Sequence, residues 1–153
     1  MRIVLSDFMS LDGVVQAPGG REEDTDGGFA HGGWSIPFFE PETMGPAVND
    51  VMAGTEALLF GGLLPAPDAL GAIGAIRALR AQDGQAMQVM GSASLAAQLI
   101  ERDLVDEYRL MIEPILLGGG KPVFPDDGRA RALELVSTTA TGTGVLSCTD
   151  RPA

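Results

Sequence analysis

The chain has one cysteine, one histidine, one lysine and one tryptophan in 153 residues. Cys148 alone closes no internal disulfide. A lone His and a lone Cys, with no companion spacing, form no recognisable zinc site. A Ser-His-Asp triad would have to draw on His31, which stands in a glycine-rich stretch. Positive charge is scarce too: 10 basic residues against 21 acidic ones give a net charge of -11. Such a surface repels nucleic-acid phosphates and anionic lipid, which excludes a general polyanion-binding role. No apolar run approaches the roughly 18 to 20 residues that span a bilayer. No basic cluster leads into a signal-like run at the start of the sequence. The expected setting is the cytoplasm, with no nucleic acid and no membrane as partner.

What is present reads as one globular domain over residues 1–153. Apolar residues make up 45% of the chain and the mean hydropathy is +0.16, above the range of disordered chains. Met1 to Met9 is apolar and β-branched and runs into the turn-forming Ser10-Leu11-Asp12-Gly13, which predicts a buried first strand. Residues 16–37 are dense in Gly, Pro and acids without apolar periodicity, so a long exposed loop is expected, either a binding lid or a solvated excursion. Within it His31 and Trp34 can contact a flat ligand; alternatively Trp34 plugs the core edge and His31 is solvated.

Residues 41–53 predict a helix that starts at Pro41 and stops at Gly54. Residues 57–62 read as a buried strand entering a glycine turn. Leu70, Ile73, Ile76 and Leu79 recur at helical spacing between Pro67 and Gly84. A short strand at 87–90, a helix at 94–102 and a strand at 107–115 follow. The last two β-prone pieces, 133–136 and 144–149, suggest an antiparallel finish. The βαβα order favours a parallel sheet.

Two glycine motifs stand where apolar strands end: Met90-Gly91-Ser92-Ala93-Ser94 and Leu117-Gly118-Gly119-Gly120-Lys121. Glycine lets backbone N–H groups approach a phosphate, and a following helix N-terminus adds partial positive charge. Neither motif completes a dinucleotide fingerprint or a P-loop, and each is also compatible with an ordinary turn. Lys121, the only lysine, adds weight to an anion site. Asp12 reads equally as a proton relay or as a turn-former whose carboxylate bonds the next amide.

Taken in order, Ser10-Leu11-Asp12-Gly13, Leu58-Leu59-Phe60-Gly61, Val89 to Leu95, Leu104-Val105-Asp106-Glu107 and Pro114 to Lys121 with Phe124-Pro125 resemble a known family. It is the dihydrofolate reductase-like fold of the riboflavin-pathway reductase domain and its small stand-alone relatives, and the resemblance covers nearly the whole chain. It implies a three-layer α/β fold: a mostly parallel central sheet, antiparallel C-terminal strands and helices on both faces. It also implies NADPH as cofactor, held by Gly61, Gly91, Ser92, Ala93, Ser94, Leu117, Gly118, Gly119, Gly120 and Lys121. Asp12 is then the candidate catalytic residue, and Trp34 and Phe124 are candidate contacts to a small heterocyclic or carbonyl substrate; no metal is implied. A homodimer is the family's habit.

The sequence departs from that pattern at four points. Gly62-Leu63-Leu64-Pro65 stands where relatives carry an Arg and a Thr-aromatic pair. A helix and strand that follow in the family have no counterpart, so the domain reads as shortened after Gly62. Pro122 and Glu113 occupy positions where relatives often carry a basic residue and a His. The missing Arg, Pro122 and Glu113 each remove potential positive charge, and the missing segment takes away part of the adenosine-side pocket that the resemblance implies. Two functions are therefore expected: an NADPH-dependent reductase resembling the 5-amino-6-(5-phosphoribosylamino)uracil reductase domain, or a shortened, non-catalytic dimeric binding module of the same fold.

Overall fold

The computed structural model describes residues 1–59 and 69–153. Gly61, Gly62 and the segment read as shortened lie outside the described residues. Six strands are described: β1 (Arg2–Ser10), β2 (Thr55–Leu59), β3 (Ala86–Met90), β4 (Glu107–Glu113), β5 (Leu133–Ala140) and β6 (Leu146–Pro152). The helices are α1 (Pro41–Ala53), α2 (Ala69–Arg80) and α3 (Ala93–Glu101). They form one sheet in the order β2-β3-β1-β4-β6-β5. β1 lies parallel to both β3 and β4, and β2 parallel to β3, while β6 runs antiparallel to β4 and to β5. This is the mostly parallel sheet with an antiparallel finish.

The strand period of two sorts side chains into two layers. Ile3, Leu5 and Met9 of β1 enter a core with Met87 and Val89 of β3 and Tyr108 and Leu110 of β4. That core is roofed by Ile73 and Ile76 of α2 and Ala96, Leu99 and Ile100 of α3. On the opposite face Phe8 and Met111 join Met44, Ala47 and Val48 of α1. Helices therefore cover both faces, as the three-layer reading requires.

Several boundaries differ from expectation for identifiable reasons. β4 stops at Glu113 rather than residue 115, because Pro114 has no N–H for the ladder. β5 runs on to Ala140 through Val136, Ser137, Thr138 and Thr139, an outer strand exposed along its whole length. Polar residues there carry no hydrophobic signal. The 16–37 loop is not wholly solvated either: Gln16, Ala17, Trp34 and Ser35 are buried, and the amide of Gly33 donates to the Ala17 carbonyl at 2.8 Å.

Candidate functional site

The parallel strands β3, β1 and β4 end side by side, so the Gly91 turn and the Leu117–Lys121 turn flank the Asp12 turn at the edge where ligands of open parallel sheets bind. Gly91 has φ +69, and a Cβ there would meet nothing within 4 Å. Its conformation, not crowding, asks for glycine. The Gly91 amide donates to Asp7 Oδ1 at 2.9 Å. Ser92 caps α3, its Oγ accepting from the Leu95 amide at 3.4 Å. The first i to i-4 bond of α3 runs from the Ala96 amide to the Ser92 carbonyl, so the amides of Ala93 and Ser94 precede the helix's own bonding and lie at its positive end.

The second turn is organised differently. Asp12 accepts from the amides of Leu117 at 3.1 Å and Gly118 at 2.8 Å, and from the Ser10 hydroxyl at 2.7 Å. The Ser10 hydroxyl followed by these amides holds the Asp12 carboxyl down at about 2. A group that stays ionised at neutral pH is a poor proton relay, and the geometry is that of a clamp between two turns. Lys121 Nζ lies 2.7 Å from Asp24 Oδ2 and 3.0 Å from Asp26 Oδ2, and its amide donates to Gln16 Oε1 at 3.0 Å. The charge expected to serve an anion is already balanced by two carboxylates. Gly120, with φ +119, brings its α-carbon against Val14 and Phe29: a Cβ would fall 2.7 Å from Val14 Cγ1 and 2.9 Å from Phe29 Cε2.

Two cavities adjoin these turns. The smaller, about 510 Å³, is lined by Leu117 to Lys121 and by Gln16, Asp26, Phe29 and His31. His31 is exposed and meets Phe29 edge to face, with centroids 5.6 Å apart. Trp34 takes the other course: it is 6% exposed, its Nε1 donates to the Gln16 carbonyl at 2.8 Å, and it lines neither of these cavities. It is a plug at the core edge, with its polar atom satisfied inside the loop, rather than a ligand-facing ring. Phe124 is 40% exposed and also stands outside both linings.

The larger cavity, about 620 Å³, lies between α1 and the sheet. Sequence reading did not find it, because its lining is scattered over α1, β1, β3, β4, β5 and β6 with no local motif. It is lined by Ser6, Asp7 and Phe8 of β1, Val48, Asp50 and Val51 of α1, Met90, Arg109 and Met111, and hydroxyls of β5 and β6. Asp7 is the overlooked residue. It is 8% exposed, its Oδ2 has no hydrogen-bond partner, and burial raises its pKa to about 7 against the opposing pull of the Gly91 amide. An acid inside an otherwise apolar strand was the available signal. A second buried carboxyl, Glu113, is fully enclosed. Its Oε1 accepts from the Ser35 hydroxyl at 2.5 Å, Oε2 has no partner, and burial raises it to about 7 although the Ser35 bond pulls it down.

Residues 69–147, more than half the chain, match the RibD C-terminal domain family. The chain belongs to that family. A curated relative, the uncharacterized protein YyaP of Bacillus subtilis (strain 168), is 41% identical over 63 residues, a stretch covering 41% of this chain and 34% of that protein. A Corynebacterium diphtheriae pyrimidine reductase-like protein superposes with a TM-score of 0.67 at 13% identity, over 99% of this chain and 92% of its own. The Thermotoga maritima diaminohydroxyphosphoribosylaminopyrimidine deaminase/5-amino-6-(5-phosphoribosylamino)uracil reductase gives 0.64 at 12%, over 99% of this chain and 56% of its own. Enterococcus faecalis dihydrofolate reductase, complexed with NADP(H), gives 0.57 at 12%, over 99% and 96%. The fold is thus dihydrofolate reductase-like α/β. Among the described residues no helix is long and apolar enough to cross a membrane, and no group of His, Cys, Asp or Glu could hold a metal ion.

For a dinucleotide, the residues present fit in part. The exposed Gly91 turn and the start of α3 at Ala93 and Ser94 offer an uncrowded, positively polarised cradle for a diphosphate. The Leu117–Lys121 turn offers shape but little free charge.

Proposed function

We propose that this protein is a cytoplasmic, NADPH-dependent reductase of a small heterocyclic or carbonyl substrate. The single observation that carries the reading is the Gly91 turn opening α3 at the carboxyl edge of parallel strands, beside a cavity of about 620 Å³. The family and the NADP(H)-bound relative of the same fold support it. Ala93 and Ser94 would hold the diphosphate by backbone N–H groups. The Leu117–Gly120 turn and the 29–31 segment would border the nicotinamide, which supplies hydride when bound. Hydride transfer asks the protein for positioning and exclusion of water more than for a nucleophile. The scarcity of ionisable side chains is in keeping with that. Titration of the protein with NADPH by calorimetry or fluorescence is the test.

The second reading, a dimeric binding module of the same fold, is favoured by the pairing of Lys121 with Asp24 and Asp26. Absence of nucleotide binding would select it. Under either reading we propose a homodimer formed through the β5–β6 hairpin. There Leu133, Leu135, Val136 and Leu146 are between 42% and 56% exposed, an apolar patch that a second copy would cover. Light scattering of wild type and of Leu135→Glu would test the pairing, a monomeric wild type overturning it.

A further inference from the structure

On the face of the sheet that α1 covers, one register row crosses four strands. Ser6 of β1 stands opposite Arg109 of β4, Arg109 opposite Thr149 of β6, and Thr149 opposite Ser137 of β5. All of them line the cavity of about 620 Å³. Arg109 also belongs to a charge cluster. Glu107, 1% exposed, accepts from Arg109 Nε at 2.6 Å, from Arg151 Nη2 at 2.8 Å and Nε at 3.0 Å, and from Arg2 Nη1 at 3.2 Å. Three guanidinium groups share one carboxylate, so two positive charges stay unmatched in a chain whose net charge is -11. Asp50 of α1 lines the same cavity and Glu134 stands opposite Arg151 in the β5–β6 ladder, but among the described residues neither comes within 4.0 Å of these guanidiniums. Asp7 alternates with Ile3, Leu5 and Met9 and turns its carboxyl to the opposite layer.

The row is equipped to seat an anion. The Nε bond to Glu107 fixes the Arg109 fork and leaves both Nη groups without a partner among the described residues. The hydroxyls of Thr149 and Ser137 are likewise without one. Ser6 is not, since its Oγ donates to Gln88 Oε1 at 3.0 Å. Adjacent strands lie about 4.8 Å apart, so an oxyanion over Thr149 has Arg109 on one side and Ser137 on the other. Hydrogen bonds with an ionised partner are roughly twice as strong as neutral ones. We infer that this row binds a small phosphate-class oxyanion, held end-on by the Nη groups of Arg109 and by the hydroxyls of Thr149 and Ser137, while Arg2 and Arg151 keep the surroundings positive. The diphosphate cradle at the start of α3 belongs to the other layer, with α2. The two are therefore separate sites, and this one does not rest on the reductase reading.

Inorganic phosphate and glycerol 1-phosphate, titrated by calorimetry in a phosphate-free buffer, distinguish a free ion from a phosphomonoester; saturable binding of either supports the site. A Kd of about 1 mM is expected, weakening with added sodium chloride as the exposed charges are screened. Arg109→Met, checked for folding by circular dichroism, should weaken binding at least about tenfold; Glu107 keeps Arg2 and Arg151 as partners in that variant. Thr149→Val, nearly isosteric, should weaken it about five- to tenfold. Arg129→Met, whose side chain pairs with Asp103 and lies outside the cavity lining, should leave it unchanged. No saturable binding of either probe up to about 20 mM, or affinities unchanged in both Arg109→Met and Thr149→Val, would overturn the proposal. NADPH titrated in parallel keeps the two readings apart. Phosphate binding without NADPH binding removes the cofactor alone, and NADPH binding without phosphate binding removes this inference alone. Phosphate displaced by bound NADPH would make the row a cofactor contact and overturn a separate site.

Discussion

The Asp7 carboxyl accepts the Gly91 amide at 2.9 Å, joining β1 to the turn that opens α3. That bond links a buried acid to the place where a diphosphate would lie. It also gives the acid a measurable signature in stability. Asp7 titrates at about 7 in the folded chain against 3.8 as its ordinary value, because burial disfavours the charged form. Between those values the folded state keeps a proton that the unfolded state has released. Stability therefore falls as pH rises through this window and levels off above about 7.

Asp7→Asn removes the ionisation and keeps an acceptor for Gly91. The variant should be less stable than wild type near pH 4 by the cost of its unpaired amide N–H, where both folded side chains are neutral, and exceed it above pH 7 by about 1–3 kcal/mol. That range is the linkage gain less the cost of one unpaired buried amide N–H. Urea unfolding across pH reads the difference, and a pH-independent gap would refute the buried, protonated acid.

Glu113 and Ser35 predict the complementary behaviour. The Ser35 hydroxyl, 2.5 Å from Oε1, favours the ionised carboxyl and opposes the burial that raises it to about 7. Ser35→Ala should push the folded pKa higher still and lower stability by about 1–2 kcal/mol, more above neutrality than at acid pH. Loss of equal size at both ends of the pH range would show that the bond has no bearing on ionisation.

The glycines of the second turn should respond unequally to alanine. At Gly118, φ is +73 and a Cβ would meet nothing within 4 Å, so Gly118→Ala should cost about 1 kcal/mol for the left-handed backbone alone. At Gly120 the same methyl collides with Val14 and Phe29, and Gly120→Ala should cost about 2–4 kcal/mol. Chemical denaturation of the two variants measures the contrast.

Much of the fold was legible because its signals are local. Apolar runs marked β1, β3 and β4, and the helix expected at 94–102 falls within one residue of α3 at each end. The exposed strand β5 was read short because Ser137, Thr138 and Thr139 carry no burial pattern. The candidate site was legible in its glycines, whose positive φ values follow from the turns themselves. Its electrostatics were not legible. That Asp12 clamps Leu117 and Gly118, and that Asp24 and Asp26 bracket Lys121, depends on contacts between residues 95 to 106 positions apart in sequence. The cavity between α1 and the sheet draws on six elements, and no sequence window contains it.

The bracketing of Lys121 has a directional consequence for an anionic cofactor. Asp24→Asn releases part of the positive charge, and should tighten NADPH several-fold in a manner that weakens with salt. Lys121→Met, which removes a charge already balanced, should change affinity less than about threefold. Calorimetry at low and high ionic strength compares them. Weaker binding in Asp24→Asn would mean that the pair orders the turn rather than masking its charge.

Nucleotide binding at the Gly91 turn is tested most directly by titration of the protein with NADPH, alongside Gly91→Val. Saturable binding by the wild-type protein is expected, with Gly91→Val folded but unable to bind, since a bulky Cβ branch in the open cradle bars the close approach of a diphosphate. No binding by the wild-type protein at millimolar NADPH, or equal binding by Gly91→Val, would contradict the account.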